Sequence, residues 1–203
     1  MPRPAEIAAS RQLIVEGKDD WLFFSALLHE IGRRDNVQIQ DFGGVNDLGA
    51  FLQAFCRMSG FQEVSSIGVV RDAETSPKSA FQSVCSALEK AALPVPDAPL
   101  SLAQGPPNVA VLVLPDSDTP GMLEDLCLRT VAEDPAMHCV TEFAHCVESL
   151  STDPVDMKPK ALVQAFLASR PNPGLLLGQA AAKGYWPWDS EEFAHVRDFL
   201  SLL

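Results

Sequence analysis

Three apolar runs in this chain stop at a carboxylate. Leu13-Ile14-Val15 runs into Glu16, Val69-Val70 reaches Asp72 through Arg71, and the run 109–114 reaches Asp116 through Pro115. Short apolar runs bounded by Gly, Pro or acidic residues read as buried strands. A further run, Val37-Gln38-Ile39-Gln40, leads into the turn Asp41-Phe42-Gly43-Gly44. Between the runs the apolar spacing becomes helical. Leu22, Phe23, Phe24, Leu27, Leu28 and Ile31 mark one helix, with Asp19 or Asp20 to cap its start and Gly32 to end it. A second is expected over about 46–58. A third is opened by Ser76-Pro77 with Phe81, Val84, Cys85 and Leu88 on one face, and a fourth covers about 122–132. Strands alternating with helices imply right-handed crossovers and a parallel sheet.

Residues 94–108 hold five prolines (Pro94, Pro96, Pro99, Pro106, Pro107) and read as a loop, with Leu100-Ser101-Leu102 as a candidate edge strand. From about 137 onward the strand signal disappears, and helices are expected over 137–150, 158–169, 175–183 and 190–202. The chain of 203 residues is therefore expected to form one α/β domain over 1–203. Its core spans 1–135, with a mainly parallel sheet of four or five strands flanked by helices. A helical extension over 136–203 packs on that core, because Leu162, Phe166, Leu167, Phe193, Val196, Phe199 and Leu200 need a partner surface.

Charge narrows the function. Fifteen basic against 27 acidic residues give a net charge of −12, and no basic stripe is present to hold long nucleic acid. Arg33-Arg34 and Lys158-Pro159-Lys160 are short groupings that suit solvated helix ends. Residues 1–10 carry no apolar signal core, and no run approaches the length of a membrane helix. Five cysteines without a Cys-x-x-Cys pair read as reduced thiols, so a soluble cytoplasmic protein without membrane contact is expected.

In a parallel α/β sheet the strand ends share one edge, and ligands bind outside the carboxyl ends. That edge would collect Glu16, Asp72 with Glu74, and Asp116 with Asp118. If the third strand stays extended, Asp72 and Glu74 point to the same side. Converging carboxylates raise one another's pKa, and a divalent cation relieves the repulsion. Hard oxygen ligands, few in number, suit Mg²⁺ or Mn²⁺. Helix capping accounts as well for Asp19, Asp20, Asp116 or Asp118, but poorly for Glu16, because Glu is a weak N-cap.

These segments resemble a known family. Leu13-Ile14-Val15-Glu16-Gly17-Lys18-Asp19-Asp20 looks like the first motif of the Toprim domain, a strand ending in Glu-Gly. Val69-Val70-Arg71-Asp72-Ala73-Glu74 resembles its second, a strand ending in Asp-x-Asp, with Glu in the last place here. Val113-Leu114-Pro115-Asp116 through Gly121-Met122-Leu123-Glu124-Asp125, with the basic entry 158–161, is similar to uncharacterised Toprim-related proteins akin to the overcoming-lysogenization-defect nucleases. The resemblance implies a Toprim-like Rossmannoid fold and a Mg²⁺-dependent nuclease or phosphotransferase acting on phosphodiester or nucleotide substrates. It further implies Glu16 as metal ligand or proton-transfer group, Asp72 and Glu74 as Mg²⁺ ligands, Asp116 beside them and Glu124 at a second position. Lys158 or Lys160 would stabilise charge on phosphate. The lone Tyr185, in a helical stretch, argues against a topoisomerase. No zinc motif of the primase kind and no GxxxxGK[ST] motif occur.

Other features have plainer readings. Phe42-Gly43-Gly44-Val45-Asn46 could cradle a phosphate, but a turn needing positive φ explains the glycines. His138-Cys139 and His145-Cys146 repeat along one helix face, too far apart for a zinc site. Tyr185-Trp186-Pro187-Trp188 could stack bases, yet suits an anchor onto the core. The acidic surface keeps an alternative open: a non-catalytic metal- or nucleotide-binding module of a defence or repair assembly. Nucleic acid or nucleotide, a second copy of the chain, or a separate protein are the expected partners.

Overall fold

The computed structural model describes residues 6–44, 48–150 and 158–203. Its sheet contains β1 (Arg11–Val15), β2 (Gln38–Asp41), β3 (Ser66–Asp72), β4 (Leu102–Ala103) and β5 (Asn108–Leu114) in the order β2-β1-β3-β5-β4. The β1–β2, β1–β3 and β3–β5 pairs are parallel, and only the two-residue edge strand β4 runs antiparallel. The chain is thus a mixed α/β fold with a mostly parallel five-stranded sheet. After β1 it adds a strand on one side, then crosses to the other. The reversal leaves a crevice beyond the carboxyl ends of β1 and β3, where ligands bind in open α/β sheets.

Strand alternation divides the core in two. Ile14, Ile67, Val69, Val109, Val111 and Val113 face α2 (Leu48–Phe55) and α3 (Pro77–Lys90). Leu13, Val15, Val70, Leu112 and Leu114 face α1 (Lys18–Glu30) and the later helices. Those are α4 (Leu123–Thr130), α5 (Pro135–Leu150), α6 (Pro159–Ala168), α7 (Leu177–Ala181) and α8 (Ala194–Ser201). Ser76 caps α3 by accepting from the Ser79 amide at 3.2 Å, with Pro77 in its first turn.

The C-terminal helices belong to the same face as α1. Phe199 comes so close to β3 that a Cβ on Gly68 would stand 2.8 Å from its ring, so Gly68 lets α8 approach. The Ser66 hydroxyl donates to the Leu203 carbonyl at 3.1 Å. Trp186 is buried and stacks on Phe166 (centroids 5.7 Å apart), while Trp188 packs edge-on to Phe23. The Tyr-Trp-Pro-Trp cluster is an anchor, as its aromatic burial requires.

Candidate functional site

Beyond the ends of β1 and β3 lies a cleft of about 540 Å³. The described residues lining it include seven carboxylates, from Glu16, Asp19, Asp20, Asp41, Asp72, Glu74 and Glu124, against the ammonium groups of Lys18 and Lys160. Glu16 follows β1, Asp72 ends β3 and Glu124 lies in the first turn of α4, so residues far apart in sequence meet at one rim.

Two helices begin here in the same way. The Gly17 amide donates to Asp20 Oδ2 (3.0 Å), and the Met122 amide donates to Asp125 Oδ2 (2.8 Å). Each acidic side chain reaches back to satisfy an amide the helix leaves unpaired. The Leu123 amide is taken by Asp72 Oδ1 at 3.1 Å, which binds the start of α4 to the end of β3. Asp19 serves a different helix: its Oδ1 accepts from the Gly178 amide of α7 at 2.7 Å.

The electrostatics follow from burial. Asp72 is held well above the usual carboxylate range by desolvation, reinforced by Asp20, Glu124 and Glu16, with the Leu123 amide pulling the other way. Asp20 is pushed up to about 7, first by burial, against the Gly17 amide, and further by Glu16, Glu124 and Asp19. Burial also raises Glu16, opposed by Arg71. Arg71 Nη1 stands 3.3 Å from Glu16 Oε2, with side chains only 7% and 19% exposed. Lys160 Nζ stands 3.3 Å from Glu124 Oε1. Partial burial works against the Lys160 charge, but Glu124, Asp72 and Asp20 outweigh it and raise its pKa.

The placement of the expected residues is selective. Glu16, Asp72, Glu74, Glu124 and Lys160 all line the cleft. Asp116 is absent from that lining and is occupied elsewhere. It accepts from the amides of Asp118 (2.8 Å) and Thr119 (2.7 Å), from the Thr119 hydroxyl and from Arg129 Nη1 (2.6 Å). Although partial burial pushes it up, those bonds hold it below the usual carboxylate range. It closes a turn, which corrects its assignment as a ligand. Lys158 is exposed at the N-cap of α6 and is likewise absent from the lining, so only Lys160 of the basic entry reaches the site.

Glu74 requires a second correction. The strand does not stay extended: β3 ends at Asp72, and Glu74 takes φ +52°. It is fixed there by paired bonds with Gly121, each amide donating to the other's carbonyl at 2.8 Å. Extended geometry therefore cannot set the relative directions of Asp72 and Glu74.

Gly43 and Gly44, at φ +78° and +129°, line the cleft beside Asp41, while Val45 and Asn46 lie outside the described residues. Arg71, unassigned from the sequence, faces Glu16. Its signal was a charge inside an otherwise apolar strand, a rare placement unless paired. His138, Cys139, His145 and Cys146 are exposed on α5.

Among the described residues, no group of three or more His, Cys, Asp or Glu side chains is arranged to hold a metal ion. A closed cage for a transition metal does not fit. Mg²⁺ needs only one or two carboxylates and keeps waters. A cation beside Asp72 would relieve the repulsion from Asp20, Glu124 and Glu16 that adds to the effect of its burial.

A family model described as "Protein of unknown function (DUF3226)" matches residues 10–203. No curated protein matches the chain. Among solved structures, the crystal structure of a hypothetical protein from Pyrococcus horikoshii OT3 is similar, with a TM-score of 0.60 at 16% identity. The alignment covers 94% of this chain and 93% of that one, a likeness of fold.

Proposed function

The chain belongs to the DUF3226 family, and we propose that its acidic cleft is the site of a Toprim-like, Mg²⁺-dependent nuclease or phosphotransferase acting on a phosphodiester or nucleotide. One observation carries this reading: Asp72, at the crevice where the strand order reverses, lines one cleft with Glu16, Asp20 and Glu124 from other segments, and desolvation first, then those carboxylates, raise its pKa. A structural acid at a strand end does not need such company.

In this reading Asp72 and Glu124 hold the cation, with Glu16 and Glu74 next to them. A bound Mg²⁺ would neutralise phosphate charge and polarise the reacting phosphoryl oxygen. The chain's own residues supply the rest. Lys160, 71% exposed, is free to swing from Glu124 towards a phosphate oxygen and oppose charge developing on it. Arg71 keeps Glu16 oriented at the mouth of β1. Glu16 is the proton-transfer candidate, since it lines the cleft at the end of β1 and burial raises its pKa.

The Lys160–Glu124 pair also favours a second reading, in which the cleft binds a cation or nucleotide without turnover. Purified protein incubated with Mg²⁺ or Mn²⁺ and single-stranded DNA, duplex DNA, RNA and nucleotides, with calorimetry in parallel, separates the two. Cleavage or transfer lost in Glu16→Gln and Asp72→Asn supports the enzyme. Cation binding lost in Asp72→Asn without turnover supports the binding module. No binding and no turnover rejects both.

A further inference from the structure

The helix α5 carries two apolar faces, and among the described residues only one is covered. Val140 and Ala144 are buried, and α5 packs on α6. Ala136, Cys139, Phe143, Cys146 and Leu150 recur at spacings of three and four, so they form one stripe along a helix, the pattern of a helix-pairing seam. Cys139 and Cys146 are exposed, as are Phe143 (51%) and Leu150 (79%).

Beside this stripe, α5 and α6 enclose a groove of about 650 Å³. Cys139, Val140 and Phe143 form one wall, and Ala161, Ala165 and Ala168 form the other. Ala161, Ala165 and Ala168 again recur at helical spacing, so α6 presents a row of small side chains next to the bulky Phe143 of α5. Among the described residues, no charged side chain lines the groove.

We propose that this groove is the contact between two copies of the chain, related by a two-fold axis, with α5 of each lying along the α5–α6 groove of the other. Two observations select a second copy. The surface is self-complementary: the protruding ring on α5 meets, in the partner, a row of alanines that leaves room for it, the isologous arrangement a two-fold contact requires. The chain also carries a net charge of −12, so copies repel one another over most of their surface, and an uncharged face is where they approach at least cost. A partner chosen by charge would be basic and would find no carboxylate among the described residues of this groove.

The test is sedimentation of the whole chain from micromolar to hundred-micromolar concentration. The wild type is expected to associate reversibly to a dimer. Phe143→Glu and, separately, Ala168→Glu place a charge in the contact twice, once per copy. Each is expected to weaken dimerisation by about 100-fold or more while far-ultraviolet circular dichroism stays native. Both positions are exposed in the single chain, so either variant tests the contact if the other fails to fold. A wild type that is monomeric throughout overturns the proposal, and would leave the groove to a foreign helix or small apolar molecule. A dimer that survives the variants overturns it as well, because the contact would lie elsewhere.

Discussion

Lys160 Nζ stands 3.3 Å from Glu124 Oε1, so an ammonium from α6 reaches over a cluster of carboxylates held by α1, β3 and α4. Its charge acts on Asp72, Asp20 and Glu16 as well as on Glu124. A tethered cation therefore already supplies part of the neutralisation that a divalent ion would complete.

Lys160→Met should have effects of opposite sign. Removing the ammonium strengthens the negative field, so Mn²⁺ should bind more tightly, by roughly 5- to 10-fold for one charge at several ångströms in a partly solvated site. Any phosphoryl transfer should fall by about 100-fold or more. Calorimetry and a cleavage assay on the same preparation check both. Unchanged affinity would mean that the lysine does not act on the cation site.

Asp20 makes stability depend on pH. Its carboxyl rises from 3.8 to about 7 on folding, so between those values the folded chain holds a proton that the unfolded chain has lost. Stability should then fall as pH rises from about 4 to about 7 and level off above, by about 2–4 kcal/mol in total. Asp20→Asn keeps an acceptor for the Gly17 amide and removes the ionisation. Urea midpoints for that variant should fall less steeply than those of the wild type across the window, the remaining slope coming from Asp72 and Glu16, which burial also raises. An equally steep wild-type and variant profile would place the titration elsewhere.

Arg71 and Glu16 should behave as a unit. Arg71→Met leaves a carboxylate withdrawn from water opposite an apolar side chain, a loss of about 3 kcal/mol by urea denaturation. Adding Glu16→Gln should recover part of it, because the uncompensated charge is gone. Additive losses would show that the two side chains do not interact.

Glu74 sits at φ +52°, where a β-carbon is crowded. Glu74→Gly should be more stable than Glu74→Ala by about 1 kcal/mol in thermal unfolding, since only glycine removes the strain. If the two are equal, the left-handed conformation carries no cost.

Much of this was legible in the residues. The apolar runs at 13–15, 67–70 and 109–114 located the central strands, and their abrupt carboxylate ends located Glu16 and Asp72 on the cleft. Glu74 lines the cleft as expected, but not by way of an extended strand: backbone pairing with Gly121 and a left-handed φ place it there. Asp116 was misread because a strand-end acid looks the same whether it faces a cleft or closes a turn; the deciding partner, Arg129, lies a helix away. Of the two candidates for capping α1, Asp20 takes the Gly17 amide, while Asp19 accepts from Gly178, and no local pattern announces a partner so distant.

That distance has a consequence for how the molecule comes into being. The two residues are separated by 159 positions, and the α7 backbone lies so close to α1 that a Cβ on Gly178 would stand 2.3 Å from the Asp19 carbonyl oxygen. While the chain is emerging from the ribosome, α1 can coil as soon as it clears the exit tunnel, yet one flank of the cleft stays unbuttressed until α7 has also been translated. The acidic rim is laid down first and finished late, so during synthesis the nascent chain carries its cluster of negative charge before the segments that lock it in place exist.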